Sequence, residues 1–297
     1  MSIAPALPSP KAAKRTPRGE MVDVGGRRLR VVRAGPKSER PTVVLEHGAF
    51  GCASDWAVVQ EKLAAKGLAS LAYDRAGLGH SEPGPKPRDG AAIVSDLASL
   101  LRELEEAGPF VLTGHSMGGL MVRLYALTHP KQALGVVLVD AVTPDVINHP
   151  IGGKGVDAFS RILGWTSEGA KYGMMRPLAA VAGDRIGLPP EASAEKRRIF
   201  GSPSHARWAA EEVSQWRATS DQARAGDFPA AMPIAVITAG AENTVTALKE
   251  VQSVPALASL NGYIEHVPGA GHANLLGRRF ADPIVRGVEH VLATTHR

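Results

Sequence analysis

The sequence predicts an α/β protein whose core is a mostly parallel sheet with helices on both faces. Three observations predict it. Near-continuous apolar runs of strand length occur at residues 42–45, 110–113 and 135–139, which is how strands buried on both faces read. Stretches of helical period alternate with these runs. The alternation is broken once, for about 90 residues after Asp140, and then resumes.

Each element follows from its own pattern. Residues 1–20 are rich in Pro, Ala and Lys without apolar periodicity, the composition of a disordered tail. Short β-branched runs bounded by Gly and Pro then predict strands at residues 22–24, 29–35 and 42–45. A helix-like stretch, 55–66, leads to a strand at 69–74. Residues 89–107 predict a helix because Ile93, Leu97, Leu100, Leu101 and Leu104 recur at 3.6-residue spacing. Strands at 110–113 and 135–139 flank a helix at 118–128. Between Asp140 and Pro233 the residues read as helices and loops broken at Pro144, Pro150, Pro189, Pro190 and Pro203. A strand at 234–238, a helix at 245–257, a strand at 263–267 and a helix at 283–294 complete the chain. The expected organisation is a tail at 1–20, a core formed by 21–141 with 233–297, and an inserted helical unit at 142–232.

Chemistry concentrates where strands end. Gly114-His115-Ser116-Met117-Gly118-Gly119 follows a buried strand and opens a helix. A serine hydroxyl is a poor nucleophile, so it must stand clear of the sheet on a tight turn where an imidazole can reach it, and the flanking glycines give the chain room. The helix directs its positive end toward the place where an oxyanion would form. His47-Gly48-Ala49-Phe50-Gly51, Asp74-Arg75-Ala76-Gly77-Leu78-Gly79-His80-Ser81 and Gly269-Ala270-Gly271-His272 each follow another strand.

With these four motifs in this order, the chain resembles the α/β-hydrolase-fold serine hydrolases of the esterase and lipase type, over nearly everything from Met21 onward apart from the insertion. The resemblance implies Ser116 as nucleophile, His272 as general base, and the amides of Ala49 and Met117 as the oxyanion hole. It makes the 74–81 motif a structural signature without chemistry. His115 is expected to point into the core or toward the sheet, and His47 to hold the shape of its loop. His266 falls within a strand.

Two positions compete for the acid. The family most often places it after the strand that follows the insertion, where this chain reads Gly240-Ala241-Glu242-Asn243. Asn243 stands where aspartate is expected, and an amide cannot stabilise an imidazolium as a carboxylate does. Other members supply the acid from the end of the preceding strand, here Asp140. Asp140 is therefore the first candidate and Glu242 the alternative; the plainer role for Asp140 is a turn before Pro144.

In this fold the insertion usually forms a lid over the nucleophile. It holds seven of the fourteen aromatic residues, among them Phe159, Trp165, Tyr172, Phe200, Trp208, Trp216 and Phe228. A small helical unit needs such side chains for its own core. The sharper expectation is that Phe159, Trp165, Trp208 and Trp216, with Phe50 from the oxyanion loop and Met174 and Met175, wall an apolar pocket for an acyl substrate. Arg197, Arg198, Arg207 and Arg217 alternate with acids and read as a solvated face.

Composition excludes other classes. The 297 residues are 44% apolar and 21% charged, with a single cysteine, Cys52, which excludes an internal disulfide and reads as a packing residue. No stretch approaches a transmembrane span and no secretory signal is recognisable, so a cytoplasmic protein is expected. No metal site or phosphate loop appears, so no cofactor is expected. The net charge of +5 is mostly local: residues 1–19 carry Lys11, Lys14, Arg15 and Arg18 without an acid, leaving the other 278 residues at +1. Nucleic acid is thus not an expected partner; a small acyl compound is. The same machinery serves esters, thioesters, lactones, C–C bonds and acyl transfer. Epoxide relatives place an aspartate where Ser116 stands. A rival reading is a ligand-binding or signalling member of the fold with slow turnover.

Overall fold

A computed structural model describes residues 18–170, 179, 184–241 and 247–294. Its centre is one eight-stranded sheet: β1 (Glu20–Asp23), β2 (Arg28–Ala34), β3 (Val43–Glu46), β4 (Ser70–Tyr73), β5 (Phe110–His115), β6 (Ala133–Val139), β7 (Ile234–Gly240) and β8 (Gly262–Pro268). The spatial order is β1-β2-β4-β3-β5-β6-β7-β8; β2 runs antiparallel to β1 and β4, and the remaining pairs are parallel. The chain therefore steps from β3 to one side, into β4, and then crosses to the other side, into β5. At such a reversal the loops leaving neighbouring strands diverge and open a crevice at their carboxyl ends.

The core helices are α1 (Ala57–Ala65), α2 (Gly90–Glu103), α3 (Gly118–Thr128), α9 (Ala247–Leu257) and α10 (Asp282–Thr294). Two apolar clusters sandwich the sheet. One joins Val44, Leu112 and Val136 to α2 and α3, and the other joins Leu45, Val111 and Val137 to α1 and α10. Helix α2 buries Ile93, Leu97, Leu100 and Leu101, the stripe read from the sequence. It ends at Glu103 rather than residue 107 because Glu105 takes a left-handed conformation, φ 54°. Its start is set by Asp89, whose carboxylate accepts from the Ala92 amide at 3.0 Å and from Gln222 at 2.8 Å.

Between β6 and β7 the described residues form α4 (Pro144–Asn148), α5 (Pro150–Ala170), α6 (Pro190–Phe200), α7 (Pro203–Ser214) and α8 (Trp216–Ala223), with no strand. Among the described residues no helix is long and apolar enough to cross a membrane.

The expected tail boundary needs correction. Glu20 already opens β1, and the Arg18 carbonyl accepts from Arg30 Nε at 2.7 Å while its guanidinium lies 3.7 Å from Glu195. Arg18 thus belongs to the folded body; Lys11, Lys14 and Arg15 lie outside the described residues.

Asp89→Ala removes both the cap of α2 and the tie to α8. A loss of about 1–2 kcal/mol is expected in urea unfolding, at unchanged secondary structure.

Candidate active site

Four strand ends supply the site. Ser116 leaves β5 with φ 54°, in the region side chains normally avoid. The turn is held on both sides: the Ser116 amide donates to Val139 O at 3.1 Å, and its carbonyl accepts from the amides of Gly119 (3.0 Å) and Val142 (2.8 Å). Gly114 and Gly118 of the motif are there because of close approach. A Cβ on Gly114 would sit 2.5 Å from Gly118 O, and one on Gly118 would sit 2.5 Å from Glu46 O.

Asp140 follows β6, also at positive φ, 40°. Its carboxylate accepts from His272 Nδ1 at 2.6 Å and from the Ala239 amide at 3.3 Å. Burial pushes the Asp140 carboxyl up, but the hydrogen bond and charge of His272, with the Ala239 amide, outweigh it and hold the group below its usual value. Since the carboxylate can only accept, Nδ1 carries the proton and Nε2 of a neutral His272 presents a lone pair. His272 sits on the loop after β8 and is half exposed.

Ser116, Asp140, His272 and Ala49 line one cavity of about 630 Å³. The rest of its wall is largely apolar, with Val142, Val146, Ile151, Val156 and Trp216 from the insertion and Leu248 and Leu276 from the core. Among the described residues, Ser116 and His272 share the cavity without a hydrogen bond between them. Met117, the N-cap residue of α3, is fully buried.

Several expectations are met differently. His115 is buried, but it faces neither the sheet nor the apolar core alone. Its Nε2 donates to the His272 carbonyl at 2.9 Å, its ring lies 4.7 Å from that of His272, and it lines the cavity. Burial, reinforced by the neighbouring His272, lowers its pKa to about 3, so it stays neutral. Of the pocket candidates, Trp216 lines the cavity. Phe50 instead packs against Phe200 and His205, at 5.2 and 5.1 Å between ring centroids, and Trp208 packs against the Gly77 backbone under Lys86. The side chains of Phe159 and Trp165, and all of Tyr172, Met174, Met175, Glu242 and Asn243, lie outside the described residues. Cys52 is fully buried, and burial pushes its thiol well up, away from nucleophilic character.

The insertion also contributes charges that the sequence reading passed over. Arg197, Arg198, Arg207 and Arg217 are exposed as expected, but Glu195, Lys196, His205 and Glu212 are buried against the core. Glu195 accepts from Arg30 at 2.6 Å and from Ser54 at 2.6 Å; Lys196 pairs with Asp55; Glu212 takes a two-pronged contact from Arg75, 2.9 Å from Nε and 2.7 Å from Nη2. Arg75 also donates to Glu46 (2.5 Å) and to the carbonyls of His47 (2.6 Å) and Gly48 (3.1 Å). The signal was present in the sequence: Glu195 and Lys196 fall on the face of α6 that carries Ala192 and Ile199, and Glu212 falls beside Ala209 and Val213 on α7. A charge inside an apolar stripe calls for a buried partner.

Comparison with known proteins bears on the fold. Residues 41–154 match the family model described as the alpha/beta hydrolase fold. An AB hydrolase superfamily protein of Gibberella zeae is 33% identical over 116 residues, 37% of this chain and 36% of that protein. The chain thus spans about a third of the length of this curated relative. Among solved structures, an enol-lactonase from Burkholderia xenovorans LB400 superposes with a TM-score of 0.66 at 21% identity, covering 92% of this chain and all of that one. A thermophilic esterase from Thermogutta terrifontis gives a TM-score of 0.68 at 20% identity, covering 95% of this chain and all of that one. The chain has the α/β-hydrolase fold.

Glu195 also makes the fold acid-sensitive. Burial alone would raise its carboxyl, but hydrogen bonds from His80 and Ser54 and the charges of Arg30 and Arg18 bring it down to about 2. A depressed carboxyl stabilises the native state fully above its unfolded value of about 4.3, and that contribution is lost as pH falls toward 2. Glu195→Gln is expected to flatten the loss of stability between these limits, read from urea midpoints across that pH range.

Proposed function

We propose that this chain is a serine hydrolase that cleaves a carboxylic ester or related acyl compound through an acyl-serine intermediate, with residues 142–232 as a lid over the site. The observation that carries the reading is the joint arrangement of Ser116 on a strained turn and the Asp140–His272 hydrogen bond, 2.6 Å, on the same apolar cavity. The fold likeness to an esterase and a lactonase agrees with it.

In this reaction His272 Nε2 takes the proton as Ser116 Oγ attacks the carbonyl carbon. The resulting oxyanion is held by the amides of Ala49 and Met117, the second reinforced by the positive end of α3. As the tetrahedral species collapses, the imidazolium gives its proton to the leaving alkoxide, and the acyl group remains on Ser116. Water, deprotonated by His272, then attacks the acyl carbonyl and releases the acid and the free serine. Asp140 fixes the imidazole tautomer and stabilises its cationic form. The missing Ser116–His272 hydrogen bond is compatible with this role, because such contacts often tighten only when substrate is bound.

Two measurements test the reading. A panel of chromogenic esters and lactones of increasing acyl length is expected to give turnover that Ser116→Ala lowers by about 10⁴-fold or more; equal rates for parent and variant across the panel would exclude ester hydrolysis. A fluorophosphonate should label the parent and spare the variant. For the acid, Asp140→Asn is expected to cost about 10³- to 10⁴-fold in kcat, and Glu242→Gln far less, at unchanged folding by circular dichroism; the opposite order assigns the role to Glu242.

A further inference from the structure

The carbonyls of the loop that follows β3 are held by donors from the core, from the loop itself and from the inserted helices. The Gly48 carbonyl accepts from three groups: Arg75 Nη2 at 3.1 Å, the Gly51 amide at 3.1 Å and His47 Nδ1 at 2.9 Å. The His47 carbonyl accepts from Arg75 Nη1 at 2.6 Å. The Phe50 carbonyl accepts from His205 Nε2 at 3.3 Å and Lys196 Nζ at 3.4 Å. Three carbonyls within residues 47–50 are thus turned toward a buried cationic and imidazole cluster, part of it carried by α6 and α7.

The consequence for the amide is geometric. In a trans peptide the C=O and N–H point in opposite directions. With the Gly48 carbonyl fixed on Arg75, the Ala49 N–H is directed away from the guanidinium, and Gly48 and Ala49 are the residues of this loop that line the cavity with Ser116. Arg75 can hold that orientation only while it is itself held. Its Nε and Nη2 are committed to Glu212 of α7, and its Nη1 to Glu46 of β3, which also accepts from the Tyr73 hydroxyl. All three ionic side chains are shut off from water. Burial lowers the Arg75 pKa, and the charges of Glu212 and Glu46 more than restore it, so the guanidinium is permanently charged.

We propose that Glu212 is a positioning residue for the reaction: acting through Arg75, it fixes the oxyanion loop so that the Ala49 amide faces the developing negative charge. The insertion is therefore part of the catalytic apparatus as well as a wall of the pocket. The proposal rests on the serine-hydrolase reading above. Glu195, on α6, serves as the internal comparison, since it is an equally buried carboxylate of the insertion paired with an arginine of the core, Arg30, but touches no carbonyl of the loop.

The test compares Glu212→Gln with Glu195→Gln, using a chromogenic ester that the parent turns over and a phenylboronic acid, whose tetrahedral adduct on the serine carries an oxygen where the oxyanion would lie. Glu212→Gln is expected to lower kcat by about 10- to 100-fold with KM within about threefold, and to weaken the boronic acid in parallel. Glu195→Gln should leave both within about threefold, whatever it does to the melting temperature. Because Glu212→Gln leaves a buried charge short of a partner and can prevent folding, Glu212→Asp is measured alongside it. That variant keeps the carboxylate but withdraws it by one methylene, and a partial loss of kcat and boronic acid affinity at constant KM is expected. Equal kinetic losses in the Glu212 and Glu195 variants, a loss confined to KM, or full activity in a folded Glu212 variant would overturn the proposal. A parent without turnover that Ser116→Ala removes would overturn the hydrolase reading first, and this inference with it.

Discussion

A guanidinium shut away from water must be surrounded by acceptors, and Arg75 finds them in three separate parts of the chain: the end of β3, the loop beyond it and helix α7 of the insertion. Removing one partner from such a buried set typically costs several kcal/mol, because the charge left behind cannot be hydrated. The insertion, the loop after β3 and the central strand are consequently placed relative to one another by a single side chain. Arg30 with Asp74 and Glu195, and Lys196 with Asp55, extend the same device along the seam. Helices whose apolar faces are short are docked here by charge, and with charge comes a directionality that apolar contact lacks.

The sheet does a different job. Ordinary parallel pairing puts the ends of β3, β5, β6 and β8 on one edge, so residues distant in the chain meet: 132 positions separate Asp140 from His272. The local cost falls on two backbones held at positive φ, Ser116 and Asp140, at sites where a side chain has to project from a strand end. Hydrogen bonds from neighbouring strands, Ser116 to Val139 and Asp140 to Ile237, keep both in place.

Much of this could be read from the sequence because it is periodic or local. The strand runs, the α2 stripe and the glycines around Ser116 all state their purpose within a few residues of themselves. Asp140 was legible as a carboxylate at the end of a buried strand, and its bond to His272 follows from that position. What could not be read depends on partners far apart. His115 follows the strand alternation yet takes its partner from a loop 157 residues away. Trp208 and Phe50 are aromatic, as a pocket wall would be, but their neighbours, the Gly77 backbone for one and Phe200 and His205 for the other, assign them to the seam. Glu195 and Glu212 stand beside exposed arginines in the sequence, and only their place on the apolar stripes of α6 and α7 sets them apart.

On the serine-hydrolase reading proposed above, the half-exposed His272 has a consequence for the balance of products. Its ring lines the apolar chamber and is half exposed, so small nucleophiles from the medium have access to the imidazole. In dilute aqueous medium that nucleophile is water. On the acyl-serine route proposed above, a medium rich in short alcohols or amines brings them into competition at the same imidazole, and the partition between free acid and a new ester or amide then depends on the composition of the solvent.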